Sequence, residues 1–223
     1  MTTQVSHPYF PRDLLLPHYV ANTLEMDYIL TVLFSTFGII LLVAGVIIIR
    51  KPQISTSGRV IFMWCVICGF IHLFLEGYFA VFHSSLAGDQ GLFGQVWKEY
   101  SKGDSRYLSS DSFVVNMERI TAFIDGPLAF YTAYAIYTNS PGRHVGQITL
   151  SICQLYGCVL YYLTTLFEGS PHCDPHPLYF WFYFVVMNAF WTIIPIILIK
   201  QSWSAIYRGM ALAQKATSSK KRK

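Results

Sequence analysis

His72 and Glu76 stand four residues apart, and Glu118, Thr121 and Asp125 follow one another at i, i+3 and i+7, all inside long apolar stretches. Residues at these spacings share one face of an α-helix. A charged side chain near a bilayer centre costs about 2.5–3.5 kcal/mol on insertion scales, so several in one short chain point to chemistry rather than packing. A carboxyl group held away from water keeps its proton and can donate it. An imidazole can accept or relay one near neutral pH. Asn188 and Trp191, at i and i+3 in another apolar stretch, add an amide and an aromatic face able to stabilise a cation. Tyr161, Tyr162, Tyr179, Phe180, Trp181, Phe182, Tyr183 and Phe184 extend that aromatic wall. Acid, base and π-face together suit protonation of an alkene followed by proton loss at a neighbouring carbon, a double-bond shift in a lipid.

The elements that must position these groups are helices long enough to cross a membrane. The 223 residues are 53% hydrophobic, with a mean hydropathy of +0.41. Only 13% are charged, about half the usual share for a soluble domain. A spanning helix needs about 20 apolar residues, and segments 27–49, 60–82, 113–137, 145–167 and 178–199 qualify. The expected fold is an all-α integral membrane protein, a five-transmembrane-helix bundle with a long luminal loop between helices 2 and 3. Residues 1–26 form an N-terminal segment, 27–199 the bundle and 200–223 a basic tail. In loop 83–112, Leu92, Phe93, Val96, Trp97 and Tyr100 are spaced like one face of a short helix. That helix is expected at the membrane interface, with Trp97 and Tyr100 at headgroup level. At a rise of 1.5 Å per residue, His72, Thr121 and Asn188 all fall roughly 12–15 Å below the loop side, so three polar stripes converge on one cavity.

Arg50, Lys51, Arg59, Arg143 and the tail from Lys200 to Lys223 place most of the positive charge on one side. The positive-inside rule puts that side in the cytosol and the N-terminus in a lumen. Lys220 and Lys221 stand fourth and third from the end, the dilysine pattern for retrieval to the endoplasmic reticulum. The first 25 residues lack the basic and apolar regions of a cleaved signal, so the first span is expected to target and anchor the chain. The basic tail beside a membrane suits lipid headgroups or topology better than nucleic acid. Cys65 and Cys68 have C-x-x-C spacing without a second ligand pair, so they are expected as buried hydrophobes rather than zinc ligands. No Gly-rich phosphate loop is present, which argues against a nucleotide cofactor. Gln147 and Gln154, i and i+7, are expected to tie helices together. Arg119 points about 100° away from Glu118 and is expected to reach the interface.

Four blocks of this chain resemble the emopamil-binding protein family: residues 68–77 around His72 and Glu76, 97–107 with Asp104, Arg106 and Tyr107, 117–127 with Glu118, Thr121 and Gly126-Pro127, and 176–191 with Asn188 and Trp191. The resemblance implies a 3β-hydroxysteroid Δ8,Δ7-isomerase of the endoplasmic reticulum, working without a cofactor on a Δ8-sterol and inhibited by lipophilic amines. It assigns His72, Glu76 and Glu118 to catalysis and Thr121, Asn188 and Trp191 to the substrate. Arg106 and Tyr107 belong to the matching loop, which is expected to close the cavity, and Tyr179 and Tyr183 to the aromatic wall against the sterol. One departure stands out: vertebrate members have Trp where this chain has Asp125.

The implied mechanism protonates C9, forms a cation at C8 and removes a proton from C7. A proton-coupled transporter and a non-catalytic sterol or cationic-drug binding protein, of the kind represented by the sigma-2 receptor in the wider superfamily, are the rival classes. The resemblance is compatible with either acid–base order among His72, Glu76 and Glu118, and with a monomer or a homodimer.

Overall fold

Helix α1, Met26–Ile49, frames one side of the molecule: its 24 residues are overwhelmingly apolar, and it presents Ile39, Leu42 and Ile49 outward. A helix apolar all round, with large exposed side chains, is built to face lipid. The structure, a computed structural model, describes residues 6–220, and Lys221 of the dilysine pair lies outside the described residues. Among the described residues every regular element is helical.

Helix α2 spans Thr56–Phe82, starting at Ser55, whose hydroxyl accepts from the Gly58 N–H at 3.2 Å. Its stretch Ile71–Glu76 is π-helical. A short helix α3, Leu92–Tyr100, follows. Helix α4 covers 112–137 and is α-helical over Ser112–Ile120, π-helical over Thr121–Asp125 and α-helical again over Gly126–Tyr137. Asp111 caps it by accepting from the N–H groups of Phe113 and Val114, both at 3.0 Å. Helix α5 is Gly142–Phe167, and α6 is Leu178–Lys220, π-helical over Leu178–Val186. Helices α1, α2, α5 and α6 are long and apolar enough to cross a membrane.

The expected segments thus appear with extended ends. α6 runs to Lys220, beyond the expected end at 199, so most of the basic tail is its last turns. Each π stretch has a local cause. In α4 it precedes Pro127, whose missing N–H leaves the carbonyl one turn back unbonded. In all three, a side chain takes a carbonyl at the irregular stretch: Trp97 donates to Leu75 O at 2.9 Å, Thr121 to Glu118 O at 3.0 Å and Tyr162 to Val185 O at 2.6 Å.

Helix α2 packs on α1 and α4, α4 on α5, and α5 on α6. α2 and α4 pack tightly at Gly126, where a Cβ would stand 3.0 Å from the Leu73 N and Cβ. Two apolar clusters form the core. One, with Cys65, Cys68, Ala129, Ile136 and Leu150, fills the end nearer the α4–α5 turn. The other, with Tyr9, Leu16, Phe79, Trp97, Val114 and Tyr161, fills the loop end. Along α2, α4 and α5 the polar residues fall between these two clusters.

The loop end corrects one expectation. α3 is present, but Trp97 is 4% exposed and packs on Phe79 and Tyr107 at ring distances of 5.1 and 4.9 Å. It is core rather than a headgroup anchor, because its N–H finds Leu75 O inside the bundle. Leu92 and Phe93 are the exposed members of α3. Residues 6–25 lie across this loop as a strap. Tyr9 donates to Lys98 O at 3.1 Å, Lys98 Nζ to Val20 O at 2.8 Å, and the Thr23 and Leu24 N–H groups to Gln95 Oε1 at 2.8 and 2.9 Å. Ser105 Oγ bonds to Phe10 O.

Candidate active site

Between the two clusters lies a cavity of about 1150 Å³, its open mouth included. α1 lines it with Leu30, Leu33, Phe34 and Phe37, all apolar. The polar groups come from the other helices and are few.

His72, 1% exposed, is the hub. Its Nδ1 lies 2.7 Å from Glu76 Oε2, and Trp191 Nε1–H donates to its Nε2 at 3.2 Å. An indole N–H can only donate, so Nε2 is the lone-pair nitrogen and Nδ1 carries the proton toward Glu76. The Gln154 amide also lies 2.9 Å from Nε2. The imidazole is thereby locked in one tautomer and one orientation, as a base or relay requires. Facing it, Glu118 is 5% exposed, with Oε1 receiving Tyr107 OH at 2.7 Å and Oε2, at 3.2 Å, sharing the single Thr121 hydroxyl proton with the Glu118 carbonyl. Glu76 and Glu118 face each other at close range, near enough for their carboxyl groups to interact directly. Asn188 Nδ2 donates to Tyr100 OH at 2.9 Å and to Phe184 O at 2.8 Å.

The structure therefore brings His72, Glu76, Glu118, Thr121, Asn188, Trp191, Tyr107 and Tyr183 to one wall. Two expected members stand behind it. Arg106 clamps Asp104 through Nε at 3.0 Å and Nη2 at 2.7 Å, bonds Thr165 and lies 4.9 Å over the Tyr161 ring. It fixes the loop that carries Tyr107 rather than touching the cavity. Tyr179 lies against Tyr183, ring centroids 5.5 Å apart, and Lys102. Trp191 turns its N–H to His72, while its ring packs on Trp64 at 5.9 Å.

Asp125 is the clear departure. It is fully buried but not in the cavity wall, neither carboxyl oxygen has a hydrogen-bond partner, and the Cys153 thiol is beside it. The i, i+7 spacing assumed regular α-helix. The π turn Thr121–Asp125 adds a residue to the turn and rotates Asp125 off the Glu118 face by roughly the 100° that one residue covers.

Three groups in the wall escaped the sequence reading. Gln154 was expected as packing glue; Gln147 fits that part, bonding Leu198 O at 3.1 Å and Gln201 at 2.8 Å, while Gln154 serves His72. Glu99 and Tyr100 lie on α3, outside any apolar span, and no spacing signals a fold-back into the bundle. Arg119 is exposed beside His83, and the five cysteines are free.

A sequence profile for EXPERA (EXPanded EBP superfamily) matches residues 92–202. The chain is 46% identical over 204 residues to a rat 3-beta-hydroxysteroid-Delta(8),Delta(7)-isomerase, covering 89% of each chain. This chain belongs to the EXPERA family. The guinea-pig 3-beta-hydroxysteroid-Delta(8),Delta(7)-isomerase is 41% identical over 96% of this chain and 95% of its own. A protoglabretal synthase of Ailanthus altissima is 31% identical over 90% of this chain and 92% of its own. The EXPERA match begins at α3 and ends in α6, so it takes in the buried loop and the Glu118, Asn188 and Trp191 sites, while His72 and Glu76 precede it. These relatives carry different enzyme names.

Proposed function

We propose that this chain is a sterol Δ8 to Δ7 isomerase, moving a C8=C9 double bond to C7=C8. The observation that carries this reading is one apolar cavity holding a locked His72–Glu76 pair opposite a doubly hydrogen-bonded Glu118. The relatives named as 3-beta-hydroxysteroid-Delta(8),Delta(7)-isomerases support it at 41–46% identity. One of the facing carboxyl groups, or His72, delivers a proton to C9. The electron pair of the double bond takes it and leaves a cation at C8. Asn188 and the aromatic wall hold that cation and orient the rings. A second member of the set removes a proton from C7, whose C–H electrons form the new double bond. One proton enters and one leaves, so the sequence needs no redox partner. A lipophilic amine, charged where the cation forms, should bind the same place as a transition-state mimic.

In this reading α4 is a fifth membrane span, tolerated there because its acid groups face the cavity or protein. The loop side is luminal, the helical basic tail is cytosolic and the membrane is that of the endoplasmic reticulum. The test is incubation of membranes containing this chain with a Δ8-sterol in deuterated water. Δ7 product carrying deuterium at C9 is expected. Unchanged sterol with intact binding would replace the enzyme reading by a sterol-binding one.

A further inference from the structure

The cavity has a second polar pole, which the mechanism leaves unused. Glu99 is 4% exposed and lines the cavity from α3, toward the loop end. Its Oε1 accepts Tyr183 OH at 3.1 Å, and its Oε2 receives Lys102 Nζ at 2.7 Å. A carboxylate has about four acceptor sites, so two remain on a group buried at an apolar wall. Buried charges are normally fully paired, and here the free capacity is beside a ligand space.

The spacing to the reaction centre is that of a sterol A ring. Tyr183, which holds Glu99, precedes Asn188 by five residues on α6, at most about 7.5 Å along the axis because the π-helical stretch to Val186 rises less per residue than an α-helix. Tyr100, next to Glu99, is bonded to Asn188, so α3 joins the two poles directly. In a 3β-hydroxysterol the hydroxyl lies five bonds from C9, a reach of about 6–7 Å at bond lengths near 1.5 Å. The α1 side of the cavity is lined by Leu33, Phe34 and Phe37 and suits the hydrocarbon end.

We propose that Glu99 accepts the hydrogen bond of the substrate's 3β-hydroxyl, with Tyr183 and Lys102 as the residues that position it. The bound sterol then points its A ring to the loop and its side chain toward Phe37. This rests on the sterol reading above and adds the orientation and the choice of 3-hydroxylated substrates. A hydrogen bond to a charged group translates into roughly 10- to 150-fold.

The experiment compares a 3β-hydroxy Δ8-sterol with its 3-deoxy analogue in deuterated water, using wild type, Glu99→Gln and Tyr183→Phe, and measures displacement of a bound lipophilic amine by each sterol. Wild type should prefer the hydroxysterol by roughly 10- to 150-fold in kcat/KM, chiefly through KM. Glu99→Gln should collapse that ratio toward one, with the larger loss on the hydroxysterol, and Tyr183→Phe should reduce it partially. Retained amine binding by the variants shows that they fold. Equal use of both sterols by wild type, or an equal loss on both in Glu99→Gln, would overturn the proposal. If deuterium fails to enter at C9 in wild type, the isomerase reading fails. The displacement ratio then still decides the hydroxyl pole by the same criterion.

Discussion

At the scale of single residues, the site is a set of partners that each fix one atom. Trp191 and Gln154 address His72 Nε2, Glu76 takes Nδ1, and Tyr107 and Thr121 divide the oxygens of Glu118. Positioned acid–base groups contribute about 10²–10⁴-fold, so Glu118→Gln, which keeps the size and both partners, should lower kcat by at least 10²-fold in a Δ8-sterol turnover assay. Rates near wild type would remove Glu118 from the reaction. His72, Glu76, Glu118 and Thr121 were legible in the sequence because polar side chains are costly in apolar spans and their spacing is helical. Gln154 was not, since an amide in a span serves packing as readily as a site, and only the α2–α5 contact tells which.

At the scale of elements, the cavity exists where three helices depart from regular winding. The segments 60–82, 113–137 and 178–199 were legible from length and hydropathy, but the π turns within them were not. A search at 3.6 residues per turn assumes the regularity they break, and it put Asp125 on the wrong face. The reach from α2 to α4 depends on Gly126 having no side chain beside the Leu73 backbone. Gly126→Ala adds a methyl group at a contact that neither helix can relieve by a rotamer change. It should cost about 1–3 kcal/mol, read as a lower midpoint of thermal unfolding in detergent. An unchanged midpoint would mean that the two helices separate more easily than this packing implies.

At the scale of the whole molecule, the strap, α3 and the Arg106 turn form a roof over the cavity. Its fold-back was illegible because α3 looks amphipathic and reads as a surface helix. Lys98 sits at the centre of the roof, fully buried with its ammonium on Val20 O. Burial pushes its pKa down from 10.5 to about 8. Between about pH 8 and 10.5 the unfolded chain therefore binds more protons at this group than the folded one, and stability rises with pH. The slope from this group reaches about 1.4 kcal/mol per pH unit at most. Lys98→Met should lack that rise, so the difference in thermal midpoint between the two proteins should change across the window and stay level below pH 8. A constant difference throughout would show that Lys98 titrates normally.

The strap also sets a timetable for biosynthesis. Its side-chain hydrogen bonds to the loop join residues 69 to 95 positions apart. At about 5–20 residues per second, the loop emerges from the ribosome several seconds to some twenty seconds after the strap it must hold. During that interval Tyr9, Leu16 and Tyr19, all buried in the finished molecule, have no surface to cover them. The roof is assembled from the earliest segment and a later one, and newly made chains depend on that delayed meeting before they can retain a ligand.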